Sequence, residues 1–170
     1  MKNKEAEMIV RFARRHDLPR LTEIFNQSVL AHSTAVLEAV TVAERQSWFD
    51  EHTSDQYPIL VVELEDTVLG YLYLSPYRPG RSALIHTAEV SYFVDFEYHQ
   101  QGVGSRLLKH CVERCPSLGI KSLFAILLET NTASIGLLKK HGFQQWAHLP
   151  WVAEIEGVEV GQVYYGYRIE

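Results

Sequence analysis

The sequence has few cysteines and no long apolar run. Its two cysteines, Cys111 and Cys115, are too few for a disulfide framework and include no CxxC pair for a structural zinc site. No stretch of about 18 apolar residues is present, so no membrane-spanning helix is expected. The charged segment 1–8 lacks the apolar stretch of a secretory signal peptide. We therefore predict a cytosolic protein that does not enter a membrane.

Positive charge is also scarce. The chain has 16 Lys and Arg against 21 Asp and Glu, a formal net charge of −5, which argues against a broad nucleic-acid-binding surface. A local basic pocket for a phosphorylated small molecule is compatible with this balance. None of the eight histidines has the HxxxH spacing of metal ligands, and we predict no metal site.

Helical and strand patterns alternate along the 170 residues, which we interpret as one domain over 1–170. The predicted strands cover 9–12, 59–64, 68–74, 83–94, 121–128, 143–148 and 160–169. Helices are predicted after the caps Asp17 and Asn131, after a capping box formed by Thr41 and Glu44, and from Gly102. The order β-α-α-β-β-β-α-β-α-β-β predicts an α/β fold, in which a mixed sheet carries helices on its faces and contains a parallel β-α-β crossover.

The strongest local signal is a glycine-rich turn between a predicted strand and a predicted helix. Gly102 and Gly104 would let a ligand approach the backbone, and the free N–H groups of the first helical turn favour an anion such as a pyrophosphate. Two glycines also begin many helices for packing reasons, so this signal alone leaves both readings open. The Walker A spacing is absent, and Leu107 stands where a dinucleotide-binding turn has its third glycine.

This turn resembles motif A of the GNAT family of N-acetyltransferases, whose pattern is [Q/R]-x-x-G-x-[G/A]. Gly102 and Gly104 match the small positions, and His99 stands at the first one. The segment 131–134, Asn-Thr-Ala-Ser, with Gly142-Phe143 further on, is similar to the family's N-x-A-S…G-F segment beside the pantetheine arm of the cofactor. The resemblance covers nearly the whole chain. It implies a mostly antiparallel central sheet with one splayed parallel pair, flanked by helices, and acetyl-CoA as cosubstrate.

Three segments narrow the resemblance to the phosphinothricin and methionine sulfoximine acetyltransferase branch. They are Ser-Thr-Ala at 33–35, Leu-Ser-Pro-Tyr-Arg at 74–78 and Thr-Ala-Glu-Val-Ser at 87–91. In that branch a loop arginine meets the acidic end of the substrate and a strand glutamate is catalytic. The matching positions here are Arg78 and Glu89, and Tyr77 is expected to line the substrate pocket beside them.

The resemblance assigns roles to these residues. Glu89 would take the proton of the acceptor ammonium or bind it; the alternative is a carboxylate at a strand edge facing water. Backbone amides of the strand, Phe93 and Val94 by resemblance, would hold the thioester carbonyl unless this is a plain ladder strand. The residues expected at the cofactor are Ser91, Tyr92, Phe93, Val94, His99, Gln100, Gln101, Gly102, Val103, Gly104, Ser105, Arg106, Asn131, Ser134 and Lys140.

One family feature is missing. Many members carry a tyrosine four residues before the G-F glycine, as the acid for the departing thiolate, and this position is Leu138 here. A water molecule, another tyrosine or an unassisted thiolate remain as alternatives. An alkyl thiol with a pKa of about 8.5 makes unassisted departure chemically reasonable.

The sequence therefore predicts an acetyl-CoA-dependent N-acetyltransferase that acts by direct attack in a ternary complex on a small amino acid-like amine, of the phosphinothricin or methionine sulfoximine type. Two alternatives stay open: another acceptor, such as a polyamine, an aminoglycoside or a protein N-terminus, and a non-catalytic sensor that binds acyl-CoA. Relatives in this branch often form homodimers, and the aromatic segment 163–167 suits such an interface. We expect a homodimer with a small-molecule substrate.

Overall fold

The computed structural model describes residues 7–170, so segment 1–8 lies outside the described residues except for Glu7 and Met8. The strands are β1 (Ile9–Phe12), β2 (Ile59–Leu64), β3 (Thr67–Pro76), β4 (Thr87–Val94), β5 (Ser122–Leu128), β6 (Gln144–Ile155) and β7 (Val158–Arg168). The helices are α1 (Leu18–Leu30), α2 (Gln46–Asp50), α3 (Val103–Arg114) and α4 (Thr132–Lys140). Within residues 7–170, none of the helices combines the length and apolar character needed to cross a bilayer.

The seven strands form one sheet in the order β1-β2-β3-β4-β5-β7-β6. All described neighbours are antiparallel except β4 and β5, which α3 connects as a parallel crossover. The predicted α/β fold with a mixed sheet and one parallel pair is thereby confirmed.

Helices cover both faces of the sheet, and strand β2 shows why. Its run Ile-Leu-Val-Val is apolar at every position rather than at every second one. Leu60 and Val62 pack into the core beneath α3, whereas Ile59 and Val61 pack with Leu21 of α1 on the other face. Because successive side chains of a strand point to opposite faces, a strand covered on both sides needs such a run.

Two predicted helix starts differ from expectation. Helix α2 begins at Gln46, and its N-cap residue Arg45 makes no side-chain capping bond, so the Thr41–Glu44 box closes a turn over 42–45 and does not open α2. Thr41 and Glu44 exchange hydrogen bonds as a capping box, with the Thr41 N–H donating to Glu44 Oε2 at 2.7 Å and the Glu44 N–H donating to Thr41 Oγ1 at 3.2 Å. Asp17, in contrast, caps no amide of α1. Its carboxylate accepts from the Arg14 N–H at 2.6 Å and from Arg11 Nη1 at 2.8 Å, because the guanidinium is the stronger partner.

Two predicted strand boundaries are wrong. The strand predicted over 83–94 begins at Thr87, because Ser82–Leu84 forms a short 3-10 helix with Ile85 exposed beyond it. The strand predicted over 143–148 continues to residue 155 as β6. It passes an irregular stretch in which Trp151 has a left-handed φ of 56° and a solvent-exposed side chain. Exposed or bulged segments carry no regular apolar alternation, so sequence patterns place their ends poorly.

Candidate active site

The parallel strands β4 and β5 separate soon after they begin to pair. Three residue pairs join them, and the last is Glu89–Phe124. Beyond that pair, residues 90–93 and 125–128 diverge and line a cavity of about 300 Å³. The gap lies in the middle of the sheet, so main-chain groups that a neighbouring strand would normally bind face this cavity.

The register of β4 decides which of its amides face the gap. The Asp95 N–H donates to Leu69 O at 2.9 Å, just past the last β3–β4 pair. Hydrogen bonds between antiparallel strands alternate, so the odd-numbered residues of β4, including Phe93, are bonded to β3. The N–H groups of Tyr92 and Val94 point the other way, into the gap. Two amides were expected at the thioester. The Val94 N–H is free to face the gap, whereas the Phe93 N–H is bonded to β3 and cannot serve there.

Glu89 is a half-buried carboxylate on the cavity wall. Among the described residues it forms no hydrogen bond or ion pair, and burial raises the pKa of its carboxyl above the ordinary 4.5. Its side chain points to the same face as Ser91, which lies opposite Tyr73 of β3. Burial chiefly, with a contribution from the charge of Glu89, raises the pKa of the Tyr73 hydroxyl. A carboxyl whose pKa is raised by burial beside a cavity is a candidate for proton transfer.

The outer wall of the cavity comes from α1 and the loop that follows it. Phe25 and residues 33–36 line this side. Asn131 holds the loop in place, because its Nδ2 donates to Ser33 O at 3.2 Å while its Oδ1 accepts from the Ser134 N–H at 3.2 Å. Asn131 therefore caps α4, as the sequence predicted, and also lines the cavity.

The glycine-rich turn forms an open concavity at the start of α3. Gln100 and Gly102 both have left-handed φ angles, of 61° and 83°. No atom of residues 7–170 lies within 4 Å of the position that a Cβ on Gly102 would take. The Arg106 N–H donates to Gly102 O, so the helix supplies no partner for the N–H groups of residues 103–105. A concavity with free amides at a helix N-terminus fits the pyrophosphate of acetyl-CoA.

Gly104 serves packing rather than conformation. A Cβ at this position would lie 2.7 Å from Leu137 Cδ2, so the absence of a side chain lets α3 approach α4. Val103 is buried in the core, and only its main chain faces the concavity. Ser105 Oγ lies 2.9 Å from His141 Nε2, at the C-terminal end of α4.

The side chains around the concavity are mostly exposed. His99, which stands at the first position of the family motif, turns its Nε2 to within 3.0 Å of Val94 O. Gln101 Nε2 donates to Glu97 O at 3.0 Å. Gln100, Arg106 and Lys140 are exposed to solvent.

An aromatic cluster that sequence reasoning missed lies beside Glu89. The Phe124 ring centroid is 4.9 Å from that of Tyr77, 5.3 Å from that of Trp146 and 5.8 Å from that of Tyr164. Phe124 pairs with Glu89 across the strands, so the cluster and the carboxylate share one face of the sheet. Only Tyr77 was expected here, since the other three come from strands whose pairing no local pattern reveals.

Arg78 and Arg45 differ in placement. Arg78 is exposed in the loop after β3, with a left-handed φ of 52°. Arg45, absent from the sequence-based site, is only 7% exposed and donates from Nη1 to Tyr71 Oη at 3.0 Å. Its guanidinium carbon lies 3.9 Å from the ring centroid of Trp48 and 4.5 Å from that of Phe25, so aromatic faces stabilise its charge behind the cavity.

Cysteines and histidines form no metal centre in the part of the chain that the structure describes. No group of three or more His, Cys, Asp or Glu side chains in residues 7–170 could hold a metal ion. Cys111 and Cys115 are free thiols buried in the core beside α3. The absence of a metal in the working protein stays a prediction.

Comparison with known proteins gives one consistent family. The sequence profile of the Acetyltransferase (GNAT) family matches residues 18–143. An L-methionine sulfoximine/L-methionine sulfone acetyltransferase of Pseudomonas aeruginosa is 34% identical over 141 residues, covering 81% of each chain. A phosphinothricin N-acetyltransferase of Alcaligenes faecalis is 36% identical over 139 residues, which are 80% of this chain and 70% of that protein.

Solved structures agree with these relatives. The crystal structure of a GNAT superfamily phosphinothricin acetyltransferase from Sinorhizobium meliloti in complex with AcCoA matches with a TM-score of 0.89 at 28% identity. The match covers 95% of this chain and 88% of that one. The chain therefore belongs to the GNAT family of acetyltransferases; it is an N-acetyltransferase, and acetyl-CoA is the cosubstrate of its family.

Proposed function

We propose that this N-acetyltransferase transfers the acetyl group of acetyl-CoA to the amino group of a small amino acid-like acceptor, of the phosphinothricin or methionine sulfoximine type. One observation carries the proposal: Glu89, a half-buried carboxylate without a partner in residues 7–170, lies at the point where β4 and β5 separate and the amides of Tyr92 and Val94 face the gap. A base and an oxyanion site therefore adjoin one cavity.

Glu89 takes the proton that makes the acceptor nucleophilic. Only a neutral amine attacks a carbonyl, so an ammonium must first lose a proton. Burial raises the pKa of Glu89, which makes the carboxylate a stronger base than an exposed glutamate. A positioned base of this kind contributes about 10²- to 10⁴-fold in rate.

The N–H groups of Tyr92 and Val94 stabilise the negative charge that develops on the thioester oxygen. In a ternary complex the amine nitrogen attacks the thioester carbon directly, and the carbonyl electron pair moves to the oxygen, which these N–H groups stabilise. When the carbonyl re-forms, the C–S electron pair leaves with sulfur. Ser91 and Phe93 project their side chains toward the acceptor side, with Glu89.

The remaining cofactor-binding residues surround the gap. The amides of Val103, Gly104 and Ser105 bind the pyrophosphate, and Gly102 keeps the approach open. The phosphate end of the cofactor would meet exposed side chains, those of Gln100, Gln101, Arg106 and Lys140. His99 contacts the carbonyl of Val94 and so holds the end of β4 in place. Asn131 and Ser134 border the pantetheine arm from the start of α4.

Arg78 binds the acidic end of the acceptor. A guanidinium pairs with a carboxylate or phosphinate through two parallel hydrogen bonds. Arg78 carries no ion pair among the described residues. Burial chiefly raises the pKa of the Tyr164 hydroxyl in the aromatic cluster; the charge of Glu89 raises it further, and that of Arg78 lowers it. Tyr77, packed on Phe124, walls the space between the two charges.

The decisive experiment measures CoA-thiol release from acetyl-CoA across a panel of amines. The panel holds phosphinothricin, methionine sulfoximine, its decarboxylated amine, ordinary amino acids, a polyamine, an aminoglycoside and a peptide N-terminus. In Arg78→Ala, KM for methionine sulfoximine should rise about tenfold while KM for the decarboxylated amine stays unchanged. Arg81→Ala removes another exposed arginine of the same loop and should leave both KM values within about twofold.

Other outcomes separate the alternatives. Turnover confined to the polyamine, the aminoglycoside or the peptide would retain acetyl transfer and reject the acceptor class. CoA binding without turnover of any amine would favour a non-catalytic sensor of acyl-CoA.

We also infer a homodimer and a cytosolic location. The β6–β7 hairpin exposes Trp146, Trp151, Val152 and Val158, an apolar surface typical of protein contacts. Tyr165 of the aromatic tail is buried in its own core, so the hairpin is the better candidate surface. Light scattering at micromolar concentration tests the dimer, and a monomeric mass would reject it; cell fractionation tests the location.

A further inference from the structure

Leu138 of α4 and Tyr92 of β4 line the same cavity. Leu138 occupies the position of the family's tyrosine; it is fully buried and lines the cavity, but its side chain has no proton to donate. Tyr92 lines the same cavity from β4, and its hydroxyl lies 3.3 Å from Ser134 O, one helical turn before Leu138. The Tyr92 phenol therefore lines the same cavity as Leu138, which stands at the position of the family's tyrosine.

The hydroxyl of Tyr92 is held only weakly. Hydrogen bonds between oxygens have lengths of about 2.5–3.0 Å, and this one is 3.3 Å long. Ser134 O is also the acceptor to which the Leu138 N–H donates in a regular α-helix. The carbonyl keeps a partner when the phenol turns away, so redirecting the hydroxyl into the cavity is inexpensive.

We propose that the hydroxyl of Tyr92 donates a hydrogen bond to the sulfur of CoA as the thiolate leaves. This proposal rests on the proposed acetyl transfer. The new N–C bond forms from the amine lone pair, the C–S bond breaks, and its electron pair stays on sulfur. Two protons leave the acceptor nitrogen: Glu89 takes the first before attack and passes it to solvent, and the second follows the same route as the tetrahedral intermediate collapses. The sulfur acquires a proton from solvent after release.

A hydrogen bond is favoured over full proton transfer. Burial raises the pKa of the Tyr92 hydroxyl to about 12, whereas an alkyl thiol has a pKa of about 8.5. Moving the proton from phenol to thiolate would be unfavourable, because the two pKa values differ by about 3.5. The phenol thus stays protonated throughout the working pH range, as a donor to the anion requires.

The test titrates the thiol of CoA bound to the enzyme, followed by the ultraviolet absorbance of the thiolate. In Tyr92→Phe the pKa of the bound thiol should rise by about one to two pH units relative to the parent enzyme. Tyr165→Phe is the matched control, because Tyr165 also buries its ring and donates one 3.3 Å hydrogen bond, to Gln145 Oε1. It should leave the thiol pKa unchanged.

Kinetics provide the second readout. Tyr92→Phe should lower kcat about tenfold to a hundredfold, with KM for acetyl-CoA within about twofold of the parent value. An unchanged thiol pKa would overturn the proposal even if kcat fell, because the loss would then come from packing. Failure of the parent enzyme to bind CoA or to acetylate any amine would instead reject the proposed function. CoA binding and amine turnover of the parent enzyme are therefore measured first, so that the two failures can be told apart.

Discussion

Asp17 and Glu89 are both shielded from solvent, yet their surroundings are opposite. Asp17, 4% exposed, accepts hydrogen bonds from two nitrogens of Arg11 and from the Arg14 N–H, and Arg11 also pairs with Glu63. Burial alone would raise the pKa of Asp17, but these bonds together lower it below 3.8. Glu89 has no such partner among the described residues, and burial raises its pKa.

Asp17 is therefore a carboxylate that stabilises the fold, whereas Glu89 is a carboxylate that can still bind a ligand. The ionised form of Asp17 is stabilised by its partners, so the native state gains from its charge. The ionised form of Glu89 is disfavoured by burial, and the ammonium of the proposed acceptor would supply the opposite charge that the described residues do not. Destabilised groups of this kind concentrate at functional sites.

The largest effect is expected from removing the base. Glu89→Gln should lower kcat/KM about 10²- to 10⁴-fold, because the amide cannot accept the ammonium proton. In the parent enzyme the acid limb of the pH–rate profile should have its midpoint above 4.5, the ordinary value for Glu, and in the variant this limb should vanish. Glu113→Gln, an exposed change on α3, should leave the profile intact; a profile unchanged in Glu89→Gln would show that another group is the base.

The next effect concerns the ion-paired carboxylate. Asp17→Asn should lower the free energy of unfolding by about 3 kcal/mol, because it leaves the buried Arg11 guanidinium undercompensated. Thermal unfolding measures this as a fall in Tm of roughly 6–12 °C, while activity below the transition stays unchanged. Asp50→Asn breaks an exposed pair with Arg15, in which the side chains are 49% and 64% exposed, and should barely move Tm. Equal losses in both variants would contradict the comparison.

A smaller effect has the opposite sign. Glu89→Gln should raise the free energy of unfolding at pH 7 by about 1 kcal/mol, or roughly 2–4 °C in Tm, because it removes a half-buried charge that has no partner in the described part of the chain. The same substitution is therefore expected to lower activity and to stabilise the fold. A lower Tm would mean that Glu89 has a stabilising partner in solution.

The smallest effect is a difference in pH slope. Because the folded pKa of Asp17 is lowered, its stabilisation is present above 3.8 and is lost as the pH falls through the folded pKa. Because the folded pKa of Glu89 is raised, its cost develops as the pH rises from 4.5 through the folded pKa. Urea unfolding of the parent and both variants between pH 3 and 8 should give differences of opposite sign; slopes of the same sign would refute the contrast.

Local patterns predicted the order of the elements because their causes are local. The Thr41 capping box, the apolar run of β2 and the glycines that bound α3 each act within a few residues. The start of β4 was misplaced because Ile85 has a strand-forming side chain that lies 64% exposed, outside the sheet. Strand propensity is decided by burial and by neighbouring strands, and these are not local.

The residues of the candidate site also differ in whether a local motif or the folded chain identifies them. Glu89, Arg78 and the glycine turn lie in contiguous motifs, which a resemblance can identify. Arg45 does not, because its burial depends on aromatic rings from α1, α2 and β3 that meet only in the folded chain. The alternation that assigns the Tyr92 amide to the gap depends on the pairing register of β3, which no stretch of sequence contains.

The aromatic cluster also constrains the pairing register of β6 and β7. The Trp146 indole lies across Gly166, where an added Cβ would overlap the ring. Gly166 is flanked by Tyr165 and Tyr167, so a slip of β7 by one residue in either direction would place a tyrosine beneath the indole. Sliding by one residue also exchanges the two faces of a strand. A single hydrogen atom in place of a side chain thus makes the native register the sterically permitted one of the three.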